Sequence, residues 1–466
     1  MKEEIAELFR KTYGEMPDCF TPVAPHGSSR TYYRVGNAKH TVVAAYNADE
    51  KENRAFVDFA KQLRQRGVNV PEIMAEDLEH GIYLQEDLGD RTLFDFIKTA
   101  SPEEIRQTYK RIVRELPRLQ ITATKGFDYT NAYPRKRFDA RSIRWDLNYF
   151  KYYFLKLADI PFSENELERD FDTLTHYLLD TDTSFFLYRD FQSRNIMLKE
   201  GEIFFIDFQG ARQGALQYDL ASLLYDAKAD LSEELRMELL QTYMEELKKL
   251  IPVDEQEFID RFYAYVYIRI MQATGSYGYR GWFQQKTHFL QSIPFALDNL
   301  SRLQNAKRLK PNLPCLDRIF DRMVCNEKLR QLGSDTYRLT ITIKSFSYKK
   351  GYPHDISGNG GGYIFDCRCL PNPGRYEQYK QMTGKDAEVI AFLEKEPEVE
   401  EFYAAAKSLV MQSIRRYKQR HFTNLSVYFG CTGGRHRSVY MAQRLATELQ
   451  KDEELDVQVS HVEQNG

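Results

Sequence analysis

The chain has 466 residues, of which 42% are hydrophobic and 14% aromatic, and its formal net charge is -3. That length exceeds one ordinary hydrophobic core and predicts two or three domains. The near-neutral balance excludes a global pull toward nucleic acid or an anionic membrane. The cysteines Cys19, Cys315, Cys325, Cys367, Cys369 and Cys431 form no C-x-x-C pair. They argue against zinc and against a disulfide framework, and fit a reducing compartment. The N-terminal MKEEIAELFRKTYGEM lacks the apolar core of a signal peptide, and no apolar run is long enough to cross a bilayer. A cytoplasmic protein with no membrane partner is expected.

In chain order, residues 1 to about 20 predict a helix with Ile5, Leu8 and Phe9 on one face. Gly27-Ser28-Ser29-Arg30 predicts a turn before two strands, Thr31 to Val35 and Thr41 to Tyr46. Such a turn either lets backbone N–H groups reach a phosphate or is simply structural. Glu50 to Gly67 is a helix stopped by Gly67 and Pro71, and Val68 to Leu88 gives two more strands. The acidic bend before Gly89 suits a hinge, and Thr92 to Thr99 a short helix. Pro102 to Leu179 is helical, with most of the aromatics of Trp145 to Phe154 expected in the core. After Tyr218-Asp219, helices continue to about Asn305, with a polar insert at Gly275 to Gln285.

The stretch Phe185 to Ala211, FFLYRDFQSRNIMLKEGEIFFIDFQGA, carries the first chemistry. Apolar runs deliver Asp190, then Asn195 five residues on, then Asp207. One carboxylate orients an attacking hydroxyl, while an amide and a second carboxylate hold a hard cation on nucleotide phosphates. The competing expectation is two polar surface turns. Asp219 is expected as a helix cap or a brace for this loop.

Residues 306 to 335 carry two prolines and several basic residues and predict a linker with one short helix. Beyond it, TYRLTITIKSFSY, Tyr363 to Cys369 and Asn424 to Phe429 predict strands, with the glycine run Gly358 to Gly362 as a loop and Ala387 to Arg420 as helix. The third strand runs into Gly430-Cys431-Thr432-Gly433-Gly434-Arg435-His436-Arg437-Ser438, and a helix follows. Strand, glycine loop and helix place an anion on amide N–H groups. Cys431 and Arg437 have the C-x5-R spacing of a cysteine phosphatase loop, but Gly430 stands where those enzymes carry His. Cys431 is therefore expected to be a loop residue without covalent chemistry.

With GSSRTYYR, VNVPEIMAEDLEHGIYLQEDLGDRTLFDFI, YRDFQSRNIM, IDFQGA and QYDLASLLYD, residues 1–305 resemble the aminoglycoside phosphotransferase-like kinases. Within that family they look closest to the anomeric kinases of N-acetylmuramate and N-acetylglucosamine. The resemblance implies an α+β two-lobed protein-kinase-like domain using ATP and Mg2+. It implies Asp190 as base, Asn195 and Asp207 as metal ligands, and Gly27, Ser28, Ser29, Arg30 and Arg34 around ATP. Gln209, Arg269, Gln272 and Tyr277 are expected near the sugar. The chain departs from the family at Tyr188, where His is usual, and at Ala44 and Ala45, where many kinases carry a phosphate-binding Lys. Arg30 or Arg34 is left to meet the phosphates.

With IKSFSYKKGYPHD, FDCRCLPNPGRYEQYKQMTGKD and FGCTGGRHRSVYMAQRLA, residues 336–466 look like the C-terminal domain of RapZ, an amino-sugar-phosphate-sensing RNA-binding adaptor. This implies a smaller α/β domain holding an amino-sugar phosphate or nucleotide-sugar at residues 430–438, with Asp366 and Arg368 nearby. RNA binding is not expected to carry over, since the tail QKDEELDVQVSHVEQNG is acidic, although Arg415 to Arg420 is basic. The combined expectation is a kinase of an amino sugar's anomeric hydroxyl. The alternatives are an aminoglycoside-type phosphotransferase and a ligand-sensing RNA-binding adaptor with a non-catalytic kinase half.

Overall fold

The computed structural model describes residues 1–23, 30–332, 338–353, 362–419, 422 and 424–464. Gly27, Ser28 and Ser29 of the expected nucleotide loop lie outside them, as do residues 358–361 of the glycine run. By internal contacts the chain divides into two compact units, Met1–Gln284 with Ser292–Arg330, and Gln285–Gln291 with Gln331–Gly466.

The first unit opens with the helix Lys2–Tyr13. It is shorter than expected because Gly14, at φ 80°, takes the left-handed conformation that ends it. The next residues form a strand absent from the sequence expectation, β1 (Cys19–Val23). Its Pro22 is tolerated because β1 lies at the sheet edge. With β2 (Thr31–Gly36), β3 (Thr41–Tyr46), β4 (Ile73–Asp77) and β5 (Ile82–Glu86) it makes an antiparallel sheet in the order β1-β2-β3-β5-β4. One face packs Val35, Val42, Ala44, Ile82 and Leu84 against Ile5 and Phe9. The other carries the row Tyr32–Ala45–Tyr83, paired directly across three strands. The helix Glu50–Gln65, capped by the Asp49 side chain, reaches this region through Phe56, which stacks on Tyr83 at 5.1 Å.

The rest of the unit is mostly helical, and its longest helix is Glu255–Gly278. Two antiparallel ribbons interrupt the helices and carry the chemistry: β6 (Phe185–Leu187) with β9 (Arg212–Gly214), and β7 (Ile196–Lys199) with β8 (Glu202–Phe205). The polar insert expected at 275–285 is not a loop at its start. Gly275 and Gly278 belong to the long helix, where a Cβ on Gly278 would stand 1.9 Å from the Tyr153 carbonyl. Glycine there permits backbone-to-backbone packing, a requirement its polarity does not disclose. Residues expected as linker also hold the helix Pro314–Val324, whose Leu316, Ile319, Phe320 and Met323 are buried. Its first turn is anchored where Asp170 accepts the N–H groups of Cys315 and Leu316 at 2.7 and 2.8 Å.

The second unit is an all-parallel sheet, β11-β12-β10-β13, from β10 (Leu339–Ser347), β11 (Gly362–Asp366), β12 (Asn424–Cys431) and β13 (Leu455–His461). Ile341, Ile343, Val427 and Phe429 are fully buried in it, as central parallel strands require. The helices Pro397–Gln419 and Arg437–Leu449 contribute Val410, Ile414, Met441 and Leu445 to the same core. β13 was not expected from the acidic tail, although Leu455, Val457 and Val459 alternate with polar residues.

Candidate functional site

Three non-glycine residues of the Phe185 to Ala211 stretch adopt left-handed backbone: Glu200 at φ 52° in the turn between β7 and β8, and, beside the chemical residues, Arg189 at φ 88° and Asp207 at φ 69°. Such conformations persist only where surroundings enforce them. The enforcer at Arg189 is Asp219, which is fully buried. Its carboxylate accepts the N–H groups of Tyr188 at 2.8 Å and Arg189 at 3.0 Å, and Gln120 donates to it at 3.0 Å. Burial pushes its carboxyl up to about 6 against these hydrogen bonds. Of the two expectations for Asp219, the loop brace is the one its hydrogen bonds describe. Tyr188 adds a second brace, since its buried hydroxyl donates to the Ile206 carbonyl at 2.5 Å, one residue before Asp207. Phe208 stacks on Phe56 at 4.7 Å, tying the same turn to the helix Glu50–Gln65.

These braces bring the three chemical residues together. Asn195 Nδ2 donates to the Asp190 carbonyl at 2.8 Å and to Asp207 Oδ2 at 3.1 Å. Burial, and the charge of Asp190, raise the Asp207 carboxyl above its ordinary range. No cluster of three or more His, Cys, Asp or Glu able to hold a metal occurs among the described residues. A carboxylate and an amide oxygen instead fit an ion such as Mg2+ that completes its shell from phosphate and water.

The surroundings of Asp207 and of Asp190 differ. In the first, Arg30 has a fully buried side chain, with Nη2 3.5 Å from Glu52 Oε1. Gln209 lies here too, donating to Asp207 Oδ1 at 2.7 Å and to Glu52 Oε1 at 3.4 Å. Arg34 is held elsewhere, between Asp87 at 2.6 Å and Asp90 at 2.9 Å. In the second, arginines gather around Asp190. Arg189 pairs with both oxygens of Asp146 at 2.6 and 2.7 Å. Arg269 is buried and donates to the Tyr218 hydroxyl at 3.2 Å and to Gln272 at 2.5 Å, while its Nε has no partner among the described residues. The charge of Asp190 helps hold the Arg269 proton against burial. Arg212 is buried too, and burial with the Arg189 charge lowers it to about 10. Further out, Lys228 is lowered by burial and by the Arg194 charge. Tyr277 lies among the same charges; burial pushes its hydroxyl well up, the Asp226 charge adds to the rise and the Arg269 charge opposes it.

Sequence reasoning singled out neither Glu52, Asp146, Gln120 nor Arg212. Glu52, Asp146 and Gln120 meet Arg30, Arg189 and Asp219 across distant stretches of chain, so only Arg212, next to the IDFQGA run and bonded to Gly210, left a local signal.

In the second unit, residues 430–438 join β12 to the helix Arg437–Leu449. Gly434 has φ 64°, and a Cβ there would stand 2.9 Å from the Ser347 nitrogen. A Cβ on Gly430 would stand 2.4 Å from the Tyr348 ring, so any side chain there, histidine included, would clash. Cys431 is buried, with Ser438 Oγ 3.1 Å from its Sγ. Although burial raises the thiol, the Ser438 hydrogen bonds and Arg437 charge outweigh it, and the net shift is downward. The basic residues turn mostly to carbonyls. Arg435 donates to Gln381 and Met382, His436 Nε2 lies 2.9 Å from the Tyr379 carbonyl, and Arg437 Nη1 donates to Arg368 and Leu370, both at 3.0 Å. Arg437 Nε is buried without a partner among the described residues. Gly433 has open space around it, and Thr432 is exposed. Asp366 and Arg368 pair with each other at 2.6 Å.

The phosphotransferase enzyme family model matches residues 20–252, half of the chain. The chain belongs to that family. Asp190, Asn195 and Asp207 lie inside the matched part of this phosphotransferase, and a second model, the RapZ C-terminal domain, matches residues 339–465. Its α+β kinase-like fold is accordingly followed by a RapZ C-terminal domain. Among known proteins, it is 34% identical over 137 residues to the nucleotide-binding protein Tgr7_0722 of Thioalkalivibrio sulfidiphilus, covering 29% of this chain and 46% of that one. A nucleotide-binding protein of Halorhodospira halophila is 42% identical over 113 residues, 24% of this chain and 38% of that one. The chain thus spans about half or less of the length of these relatives. Solved structures similar to the phosphotransferase include a choline kinase from Cryptosporidium parvum Iowa II, with TM-score 0.47, 12% identity, and coverage of 69% of this chain and 100% of that one. The amicoumacin kinase hAmiN, in complex with AMP-PNP, Ca2+ and Ami, gives TM-score 0.46, 16% identity, and coverage of 71% and 95%.

Proposed function

We propose that the first unit phosphorylates an amino sugar, N-acetylglucosamine or N-acetylmuramate, at its anomeric hydroxyl, using ATP and Mg2+. The observation that carries phosphoryl transfer is the Asn195 side chain, hydrogen-bonded at once to the loop of Asp190 and to Asp207. Asp190 accepts the proton of the attacking hydroxyl. Asn195 and Asp207 hold Mg2+, which neutralises charge on the phosphates when bound. Asp219 and Tyr188 keep the loop in its left-handed turn.

The amino-sugar class is supported by the arginines on the acceptor side. A polycationic antibiotic needs carboxylates there, whereas Asp190 has Arg189, Arg212 and Arg269 around it, of which Arg189 is paired with Asp146. A neutral or carboxylate-bearing sugar tolerates this charge. The second unit binds an amino-sugar phosphate or nucleotide-sugar on the 430–438 loop. The test is purified protein with ATP, Mg2+ and a panel of free sugars and aminoglycosides, read by phosphate transfer. The sugar 1-phosphate is the expected product; consumption of an aminoglycoside with neither amino sugar touched would defeat the proposal.

A further inference from the structure

The loop that carries Asp190 also carries a cation with no counter-charge, and a second cation stands on the segment that anchors the loop. Arg194 lies in the turn Ser193–Asn195, between the anchoring residue and the one that bonds Asp207. The anchor is Ser193, whose N–H and hydroxyl donate to Asp226 at 3.1 and 2.5 Å. Asp226 leads directly into the turn Ala227–Ala229, which carries Lys228. These bonds bring Lys228 to the flank of the Asp190 loop. The helix Leu93–Ile97 packs on the turn of Arg194. Its Phe94 ring has the Arg194 guanidinium carbon 3.9 Å from its centre and Lys98 Nζ at 4.2 Å. The carboxylates nearby are committed elsewhere. Asp95 pairs with Lys98 at 2.7 Å and accepts the Thr92 hydroxyl at 2.7 Å, while Asp226 holds Ser193. Neither Arg194 nor Lys228 makes an ion pair or a hydrogen bond among the described residues.

Both side chains are half-buried, so each keeps an open edge while part of its charge is withheld from water. Burial lowers the Lys228 ammonium, the Arg194 and Lys98 charges lower it further, and Asp226 opposes them. Like charges gathered without a counter-ion repel, and an anion that arrives with a ligand relieves the repulsion. A guanidinium stacked on a ring keeps its N–H groups in the plane of the stack, where they can meet a carboxylate. Because Arg194 shares the loop of Asp190, the ligand it meets is the one whose hydroxyl Asp190 deprotonates. We infer that Arg194 and Lys228 form a subsite for an anionic substituent of the acceptor, which makes carboxylate-bearing N-acetylmuramate preferred over neutral N-acetylglucosamine. Arg194 supplies a two-pronged contact and Lys228 a point charge. Lys98 adds little, since Asp95 already answers it. Both residues determine specificity, and neither takes part in proton transfer.

The inference rests on the anomeric-kinase reading, and the test separates the two. Steady-state phosphate transfer from ATP with Mg2+ is measured on the full chain with three acceptors: N-acetylmuramate, its methyl ester, which keeps the shape and loses the charge, and N-acetylglucosamine. The quantity read is the ratio of kcat/KM for the acid to that for the ester. The native protein should favour the acid. Arg194→Gln and Lys228→Gln should each lower the ratio by about tenfold, as loss of a charge-assisted contact requires, and chiefly through KM for the acid. Arg194→Lys keeps a cation and should restore part of the preference. The double variant should treat the acid and the ester nearly alike. If Arg194→Gln melts early because the stack on Phe94 is lost, Lys228→Gln carries the same comparison. A native ratio near one, or a ratio unmoved by both variants, would overturn the subsite while leaving the kinase reading standing. Phosphate transfer to neither amino sugar would overturn both.

Discussion

The Asp190 loop and the Cys431 loop are both held by one buried ionic side chain, and the two use opposite signs. In the first, the Asp219 carboxylate accepts two backbone N–H groups. In the second, the Arg437 guanidinium donates to two backbone carbonyls. The difference decides what each loop offers. The first has committed amide protons inward and presents side-chain oxygens of Asp190, Asn195 and Asp207, a set that suits a cation and a hydroxyl. The second has committed carbonyls inward, and its glycines and the Arg437 Nε suit an anion.

The largest effect that would sharpen this contrast is on turnover. Asp190→Asn should lower kcat by about 10²- to 10⁴-fold, the usual contribution of a positioned general base, without moving the melting temperature. A rate within a few-fold of native would remove Asp190 from the chemistry.

The braces should differ in what they cost. Asp219→Ala leaves the N–H groups of Tyr188 and Arg189 without a carboxylate, at a left-handed residue. It should destabilise the first unit by about 2–4 kcal/mol in denaturant melts. Arg437→Ala leaves two carbonyls, which accept water more readily, and about 1–2 kcal/mol is expected. Equal losses would erase the proposed distinction.

A subtler break lies in pH. Asp219 is raised to about 6 from 3.8, so the folded state binds the extra proton and this stability contribution falls as pH rises from about 4 to 6. In the second unit His461 is buried against Ser345, and burial with the Lys385 charge lowers it to about 4 from 6.5. Here the folded state refuses a proton, so stability falls as pH drops from 6.5 toward 4. Melts of Asp219→Asn and His461→Gln should each flatten one of these opposed trends. The smallest effect expected is that of Tyr188→Phe, which removes one hydroxyl bond to Ile206 and should cost about 1 kcal/mol with kcat nearly kept. A collapse of kcat would give Tyr188 a chemical role beyond bracing.

Much of the fold was legible because its signals are local. The alternation of Thr31 to Tyr46, the caps of the helix Glu50–Gln65 and the apolar run before Gly430 each fall within a few residues. What escaped was non-local. The role of Gly278 depends on the Tyr153 backbone, more than a hundred residues away. β1 is short, carries a proline and gains its order by pairing with β2. β13 alternates weakly and becomes a strand through its parallel pairing with β10, across more than a hundred residues.

The sequence by itself determined the chemical inventory: a carboxylate, an amide and a second carboxylate at the spacing of a phosphotransferase, and a glycine loop opening a helix. Residue type and short spacing fix such features because loop geometry spans only a few bonds. Only the tertiary structure decided that Arg34 is taken by Asp87 and Asp90 while Arg30 lies against Glu52, that Gln209 bonds Asp207 and Glu52, and that Asp219 braces the loop from inside. Coulomb and hydrogen-bond energies depend on distance through space, and the folded chain sets that distance between residues the sequence keeps far apart.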